Sequence, residues 1–387
     1  MAFNITGGNN RHYSGILGSS IMSFSMNSTL RFFIPVLIPL LVSSLNISVY
    51  LGSLLITAYW LGYTVFQIPA GMISDRVGVS KVAKISFILM VLSFSLFYFF
   101  IDSYTGIFII QILLGSFSAT VYLSDTSVIQ KWLPQSSRAT FVGIYQTGFF
   151  IGASLGEYLI LRTLSIGFHF AFIVILSILI IATILNIVFL REPEHNKLAK
   201  HGKIDRKIIY VAMIRFSAGF LYIGFITLFT TFIVFDHIVP YSSAYLYAWI
   251  PAAGGIITSP LGGMISRRMK HGKSIVSVLP VVALAVTIIY INYAPVSAIF
   301  IISFLSGMFY GLYAGPSMGM ASDFSGSDAN LASSSSILNF SSQVGGTVSP
   351  LLMGFMFSIY GNFALAFTAV AAISIITLII PFIKLTF

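Results

Sequence analysis

Apolar runs of about 20 residues, the length that crosses a bilayer core as a helix, follow one another along almost the whole chain. Twelve can be counted, near residues 16–41, 48–72, 80–100, 104–127, 139–161, 167–190, 208–234, 243–265, 274–292, 296–319, 332–357 and 362–383. Within lipid the backbone must satisfy its own hydrogen bonds, which leaves helices or a closed barrel. A barrel would show alternating polarity over about 10 residues per strand, and these runs are continuous. Charged residues make up 8% of the chain and hydrophobic ones 57%. A soluble domain carries about 25% charged residues, so a water-facing surface is excluded. The expected fold class is an all-α polytopic membrane protein with twelve transmembrane helices.

The junctions between runs are unequal. With an even number of spans both chain ends share one side. That side collects Arg11, Arg76, Lys81, Lys84, Lys131, Arg138, Arg267, Arg268, Lys270, Lys273, Lys384 and the six basic residues between Arg191 and Lys207, 17 of the 20 Lys and Arg. The opposite side holds Arg162 alone, and Arg31 and Arg215 fall inside runs. Basic loops stay in the cytoplasm, so both termini are expected there, in a cell inner (plasma) membrane. The net charge of +10 is therefore a membrane-topology signal, and no nucleic-acid partner is expected. The polar N-terminus shows no cleavage pattern, so no removable signal peptide is expected.

The letters Gly-Met-Ile-Ser occur at Gly71 and again at Gly263, 192 residues later, each copy ending an apolar run and opening a basic loop. The longest polar segment, 191–207, divides six runs from six. The expected organisation is an N-terminal six-helix half (1–190), a cytoplasmic linker (191–207) and a C-terminal six-helix half (208–387).

Gly71, Asp75, Arg76 and Gly78, after Gln67-Ile-Pro-Ala, resemble the marker between spans 2 and 3 of the major facilitator superfamily, and the 6+6 layout extends that resemblance over the full chain. Val79 and Ser80 depart from the marker, while Lys81 and Lys84 keep the loop basic. The resemblance implies two pseudo-symmetric halves rocking about a midplane site. It also implies gating at Gly71, Asp75, Arg76 and Gly78, with Arg267 and Arg268 in the second copy. Asp75 can accept from helix N-terminal amides or pair with a base across the halves; Arg267 stands where the first copy has Asp75, so the latch is asymmetric. Gln111 occupies the position of the family's span-4 Arg, and Ala153 that of the usual span-5 Pro. Both departures weigh against the standard drug/proton mechanism.

Charge at membrane depth is costly and usually functional. Arg31 lies near mid-membrane in span 1, with Asn27 one turn below; a guanidinium there suits a carboxylate or phosphate. Arg215 in span 7 is nearer the cytoplasmic mouth. The expected substrate-binding set adds Tyr59, Tyr63, Gln111, Tyr122, Gln146, Tyr222, Tyr310, Asn339 and Gln343, polar or aromatic residues at cavity depth. Gln111, Gly115, Ser118, Tyr122 and Asp125 form one helical stripe that reads as a cavity face. Asp125 and Glu157, the latter about a turn from the outer end of span 5, are the proton-coupling candidates.

Nothing in the chain reads as an enzyme. There is no cysteine, no HExxH and no Walker loop, so no catalytic residue, metal or cofactor is expected and ATP is not the energy source. The leading reading is a secondary transporter of a small organic anion, a carboxylate or sugar acid, with protons as a candidate co-substrate, acting as a monomer. Two alternatives are a multidrug or neutral-solute exporter, favoured by the aromatic lining and by Gly148, Gly152 and Gly156 on one face of span 5, and a non-transporting receptor or scaffold.

Overall fold

The computed structural model describes residues 10–132, 138–190, 203–236, 238–268, 272–326 and 331–386, and the side chains of Asp75, Arg267 and Arg268 lie outside the described residues. Twelve long helices account for nearly all of it: α1 (Asn10–Ser44), α2 (Val49–Val77), α3 (Val79–Ser95), α4 (Tyr104–Trp132), α5 (Arg138–Leu164), α6 (Phe168–Phe189), α7 (Ile208–Phe235), α8 (Ile250–Arg268), α9 (Lys273–Tyr290), α10 (Val296–Phe324), α11 (Leu331–Tyr360) and α12 (Ala364–Thr386). The protein is a multi-pass, all-α membrane protein. Odd helices run from the face bearing both termini, here the terminal face, and even helices return from the far face.

Two expected spans are less regular than their apolar runs. Span 3 is interrupted at Leu96 and finishes as a separate turn, Phe97–Phe100. Span 8 begins as a 3-10 segment, Tyr241–Leu246, and becomes α-helical only at Ile250. Pro240 caps that segment and Pro251 follows the break, and a ring without an N–H favours the first turn of a helix over its interior.

Ten of the twelve helices are apolar enough to cross a membrane on length and composition among the described residues; α5 and α11 are the exceptions. α5 carries four glycines and α11 eight serines and three glycines, small residues suited to facing protein. α5 packs on α1 and α8, and α11 packs on α7 and α2. Small residues let helix backbones approach where lipid gives no hydrophobic drive to associate.

The pairings form two matched sets. Contacts α1–α5, α2–α4 and α3–α4 in the first half correspond to α7–α11, α8–α10 and α9–α10 in the second, and the halves meet along α5–α8, α2–α11 and α1–α7. The 192-residue offset of the sequence repeat holds at single contacts. A Cβ on Gly62 would enter the carbonyl of Ile112, and one on Gly254 that of Phe304; Gly115 meets Tyr59 O as Gly307 meets Pro251 O. Each of these positions differs from its mate by 192. At the α2–α3 turn Gly78 takes φ 102°, which only glycine adopts without strain; Ser80 Oγ then donates to Leu190 O at 2.9 Å.

α1 and α7 are the most enclosed spans, 89% buried over their apolar windows against 33% for α6. They are the axis of the bundle, and any charge they carry faces protein or an internal cavity rather than lipid.

Candidate functional site

A small central cavity opens between the halves. Its wall contains Arg31 of α1, Tyr63 of α2, Tyr122 of α4, Gln146 of α5, Arg215 of α7, Tyr310 of α10, and Asn339 and Gln343 of α11. Seven helices thus send the expected residues to one place. Among the described residues no acidic side chain is in that wall, so two guanidiniums face it without a counter-ion there.

Arg31 is 3% exposed. Its guanidinium carbon lies 4.6 Å from the centre of the Trp60 ring, 4.9 Å from Tyr63, 5.6 Å from Phe149 and 5.9 Å from Tyr59. Aromatic faces stabilise a cation electrostatically and leave its N–H groups available. Nη2 donates to Asn27 Oδ1 at 3.0 Å. Asn27 is itself fixed by donating to Ser118 O at 3.1 Å. Arg31 Nε has no partner, nor do Trp60 Nε1, Tyr59 Oη, Asn339 Nδ2 or Gln343 Oε1, all buried. Buried polar groups in a native protein are nearly always bonded. A cluster of unpartnered polar groups, donors apart from the accepting Gln343 Oε1, around an uncompensated cation is arranged for a ligand rich in acceptors that also carries hydroxyls.

Arg215 is held differently. Nε donates to Leu338 O at 3.0 Å and Nη1 to Ser317 Oγ at 2.9 Å, so it ties α7 to α11 and α10 while adding charge to the wall. Gln146 Nε2 donates to Tyr122 Oη at 3.2 Å, and Gln343 Nε2 to Asn339 Oδ1 at 3.3 Å.

Four of the expected substrate-binding residues do not reach the cavity wall. Asn27 and Tyr59 stand behind it and hold Arg31. Gln111 turns to α2, donating to Leu55 O at 3.4 Å, and its stripe-mate Gly115 packs on Tyr59; most of that stripe is a helix–helix contact face, and only Tyr122 reaches the cavity. Tyr222 donates to Pro251 O at 2.9 Å and stacks on Tyr310 with centroids 4.0 Å apart. Residues not anticipated are Phe24, Phe149, Phe150, Tyr313, Ala314 and Ser342 in the wall, with Ile223, the residue 192 positions after Arg31. The repeat offset signalled Ile223; nothing distinguished the phenylalanines among 36.

Both candidate acids are buried and neither lines the cavity. Asp125 accepts from Tyr145 Oη at 3.4 Å. Glu157 has no hydrogen-bond partner on either oxygen. Of the gating set, Arg76 is exposed and a Cβ on Gly71 would meet open space. No cluster of three or more His, Asp or Glu suited to a metal occurs among the described residues.

On the far face the halves are in contact. Tyr241 Oη donates to Val36 O at 3.0 Å, Arg162 lies 5.5 Å from the Tyr245 ring, and Tyr50 meets Phe355 at 5.9 Å. The wall residues Tyr122, Arg215, Asn339 and Gln343 all lie on the terminal-face halves of their helices.

The model of the Major Facilitator Superfamily matches residues 17–291. The chain belongs to the Major Facilitator Superfamily. Among curated proteins it is 21% identical over 249 residues to a hexuronate transporter of Bacillus subtilis, covering 59% of this chain and 58% of that protein. It is 29% identical over 150 residues to a D-galactonate transporter of Escherichia coli, covering 38% and 34%. A probable galactarate/D-glucarate transporter of Escherichia coli is 23% identical over 82% of this chain and 81% of its own length. The chain thus spans a little over half of the first relative and about a third of the second. A solved structure, a bacterial homolog of the human lysosomal transporter Spinster in an inward-facing, unoccupied conformation, superposes with a TM-score of 0.75 at 18% identity, covering 97% of this chain and 96% of that one. That likeness is one of fold.

Proposed function

We propose that this superfamily member is a secondary transporter of small polyhydroxylated carboxylates, exchanging access to its central cavity between the two membrane faces as the six-helix units 1–190 and 208–387 rock about the linker 191–207. The observation that carries the reading is Arg31, a cation in the cavity wall without an acidic partner among the described residues and with its Nε unused. A carboxylate would take the guanidinium of Arg31, and Asn339 and Gln343 would bond hydroxyls of the same solute. Arg215, Tyr63, Tyr122, Gln146 and Tyr310 complete the wall. The relatives named for hexuronates, D-galactonate and galactarate/D-glucarate support the same chemistry. In this reading the terminal face is cytoplasmic, as the basic loops indicate, and the protein works as a monomer in the inner (plasma) membrane. The turn at Gly71, Asp75, Arg76 and Gly78, with Arg267 and Arg268 opposite, serves as its latch.

The stacked tyrosines favour a second reading, an exporter of flat apolar solutes. Counterflow in proteoliposomes separates the two. Purified protein should exchange radiolabelled D-glucuronate, D-galactonate or galactarate and ignore the corresponding neutral hexose. Exchange of a lipophilic cation, with none of the acids transported, would refute the anion reading.

A further inference from the structure

Glu157 is the buried group to which the cavity gives no role. It is 1% exposed, and neither carboxylate oxygen has a hydrogen-bond partner. It stands seven residues from the far-face end of α5, roughly 10 Å along the helix. Phe150, seven residues earlier on the same face, shows where it points: the Phe150 ring fills the space beside Gly255 of α8 and contacts Tyr222 and Tyr310. Its neighbour Tyr158 meets Tyr245 of the 3-10 segment at 6.2 Å. Glu157 therefore lies in the α5–α8 seam between the halves, on the far-face side of the cavity.

The titratable and charged groups of the packed elements leave it alone. α7 contributes Tyr222, which is within electrostatic reach, but the Tyr222 hydroxyl is committed to Pro251 O. Arg31 of α1 is caged by rings. Arg162, further along α5, donates to Ser165 Oγ and lies over Tyr245. Tyr241 of the 3-10 segment bonds Val36 O, Tyr310 of α10 stacks on Tyr222, His169 of α6 meets the Tyr98 ring edge-on, and Tyr104 of α4 donates to Leu51 O on α2. Tyr145 on α5 donates to Asp125 of α4, close to Tyr122, at the terminal-face end. No Lys or Arg forms an ion pair with Glu157 among the described residues.

A carboxylate charge sealed in such a place has neither donor nor counter-ion, and the cost is large. A bound proton removes the charge. Opening the far seam removes the cost another way, by admitting water. We propose that Glu157 is a proton-binding site whose occupancy decides whether the far seam can close. The seam closes over the protonated acid and opens around the ionised one, so protons on the far side, the outer one by the basic-loop orientation, drive the conformational half-cycle. Asp125, the other buried acid, sits within one half and is bonded to Tyr145, so separation of the halves does not change its surroundings in this way. The inference rests on the alternating-access reading, and its test reads a distance rather than transport.

The chain has no cysteine, so Ile166→Cys and Tyr293→Cys, both at exposed far-face positions in opposite halves, place a spin-label pair without removing native thiols. In lipid nanodiscs, the labelled protein should shift from the short-distance to the long-distance population as pH rises from mildly acidic to mildly alkaline. The long-to-short ratio should grow by up to about tenfold per pH unit, as one linked proton allows. Adding Glu157→Gln, or Glu157→Leu should the glutamine variant fold poorly, should hold the short distance at every pH. Three outcomes overturn the proposal: a parent distribution indifferent to pH, a Glu157 variant that keeps the parent's shift, or one that rests open throughout. Failure of the parent protein to exchange sugar acids would instead remove the anion reading and leave the distance result standing.

Discussion

Replacing Arg31 with glutamine separates a binding cation from a structural one, because the two roles predict opposite changes in stability. Were Arg31 half of a buried ion pair, its loss would strand the partner at a cost of about 3–5 kcal/mol. Among the described residues it has no acidic partner, and its hydrogen bond at 3.0 Å goes to Asn27, a neutral group that glutamine can also meet. Four ring contacts between 4.6 and 5.9 Å would be lost, worth about 0.5–2 kcal/mol. Against that, a mid-membrane charge costing about 2.5–3.5 kcal/mol on insertion scales is removed. The ligand-free Arg31→Gln protein should therefore melt at or slightly above the wild-type temperature. Affinity should move the other way. A charge-assisted bond contributes about 1.5–3 kcal/mol, so losing the guanidinium should weaken a carboxylate by roughly a hundredfold. Tryptophan fluorescence reads both quantities, since Trp60 is the ring nearest the guanidinium: melting without ligand, then titration with D-glucuronate or galactarate. Wild-type affinity in the variant, or a fall in melting temperature as large as a stranded partner requires, would refute the reasoning.

Arg215→Gln should behave differently, because it frees Leu338 O and Ser317 Oγ. A stability loss of about 1–3 kcal/mol should accompany weaker binding, seen as a lower melting temperature in the same assay. Gly255→Leu places a side chain where the Phe150 ring lies; counterflow should be lost while size-exclusion chromatography still shows a monodisperse protein. Gly152→Val drives a Cβ into Ser25 O on α1 and should cost at least about 1–3 kcal/mol by overpacking, measured by thermal melting. Lys273→Ala breaks a 2.7 Å ion pair with Asp323, whose side chain is 39% exposed; melting should change by less than about 1 kcal/mol.

Much of the architecture was legible because a bilayer allows so few backbone solutions. Helix number, the 6+6 division and the equivalence of the halves follow from apolar length and from the repeat at Gly71 and Gly263, and the 192-residue offset reappears in the Gly62 and Gly254 contacts. Arg31 was legible for a related reason: a charge at that depth has few explanations. The aromatic wall was not. Phe24, Phe149 and Phe150 look like any phenylalanine that faces lipid, and only tertiary packing turns them inward. Periodicity also misled in α4, where the stripe through Gln111 and Gly115 marks a real face but cannot say whether that face meets solute or α2. The break before Ile250 was hidden because hydropathy continues through Tyr245 and Tyr247 while the backbone changes from 3-10 to α.

The absence of any acid in the cavity wall has an electrical consequence. Arg31 and Arg215 bring two guanidiniums to that wall, so the site is cationic, and a bound carboxylate, in the proposed reading, lowers its charge by one. As water access passes from one face to the other, that charge changes its position in the membrane field, where one elementary charge crossing the whole field is worth about 2.3 kcal/mol per 100 mV. In the proposed cycle Glu157 moves protonated with the anion and returns ionised, so the loaded and unloaded passages carry the same charge, and the membrane potential is expected to bias the two alike.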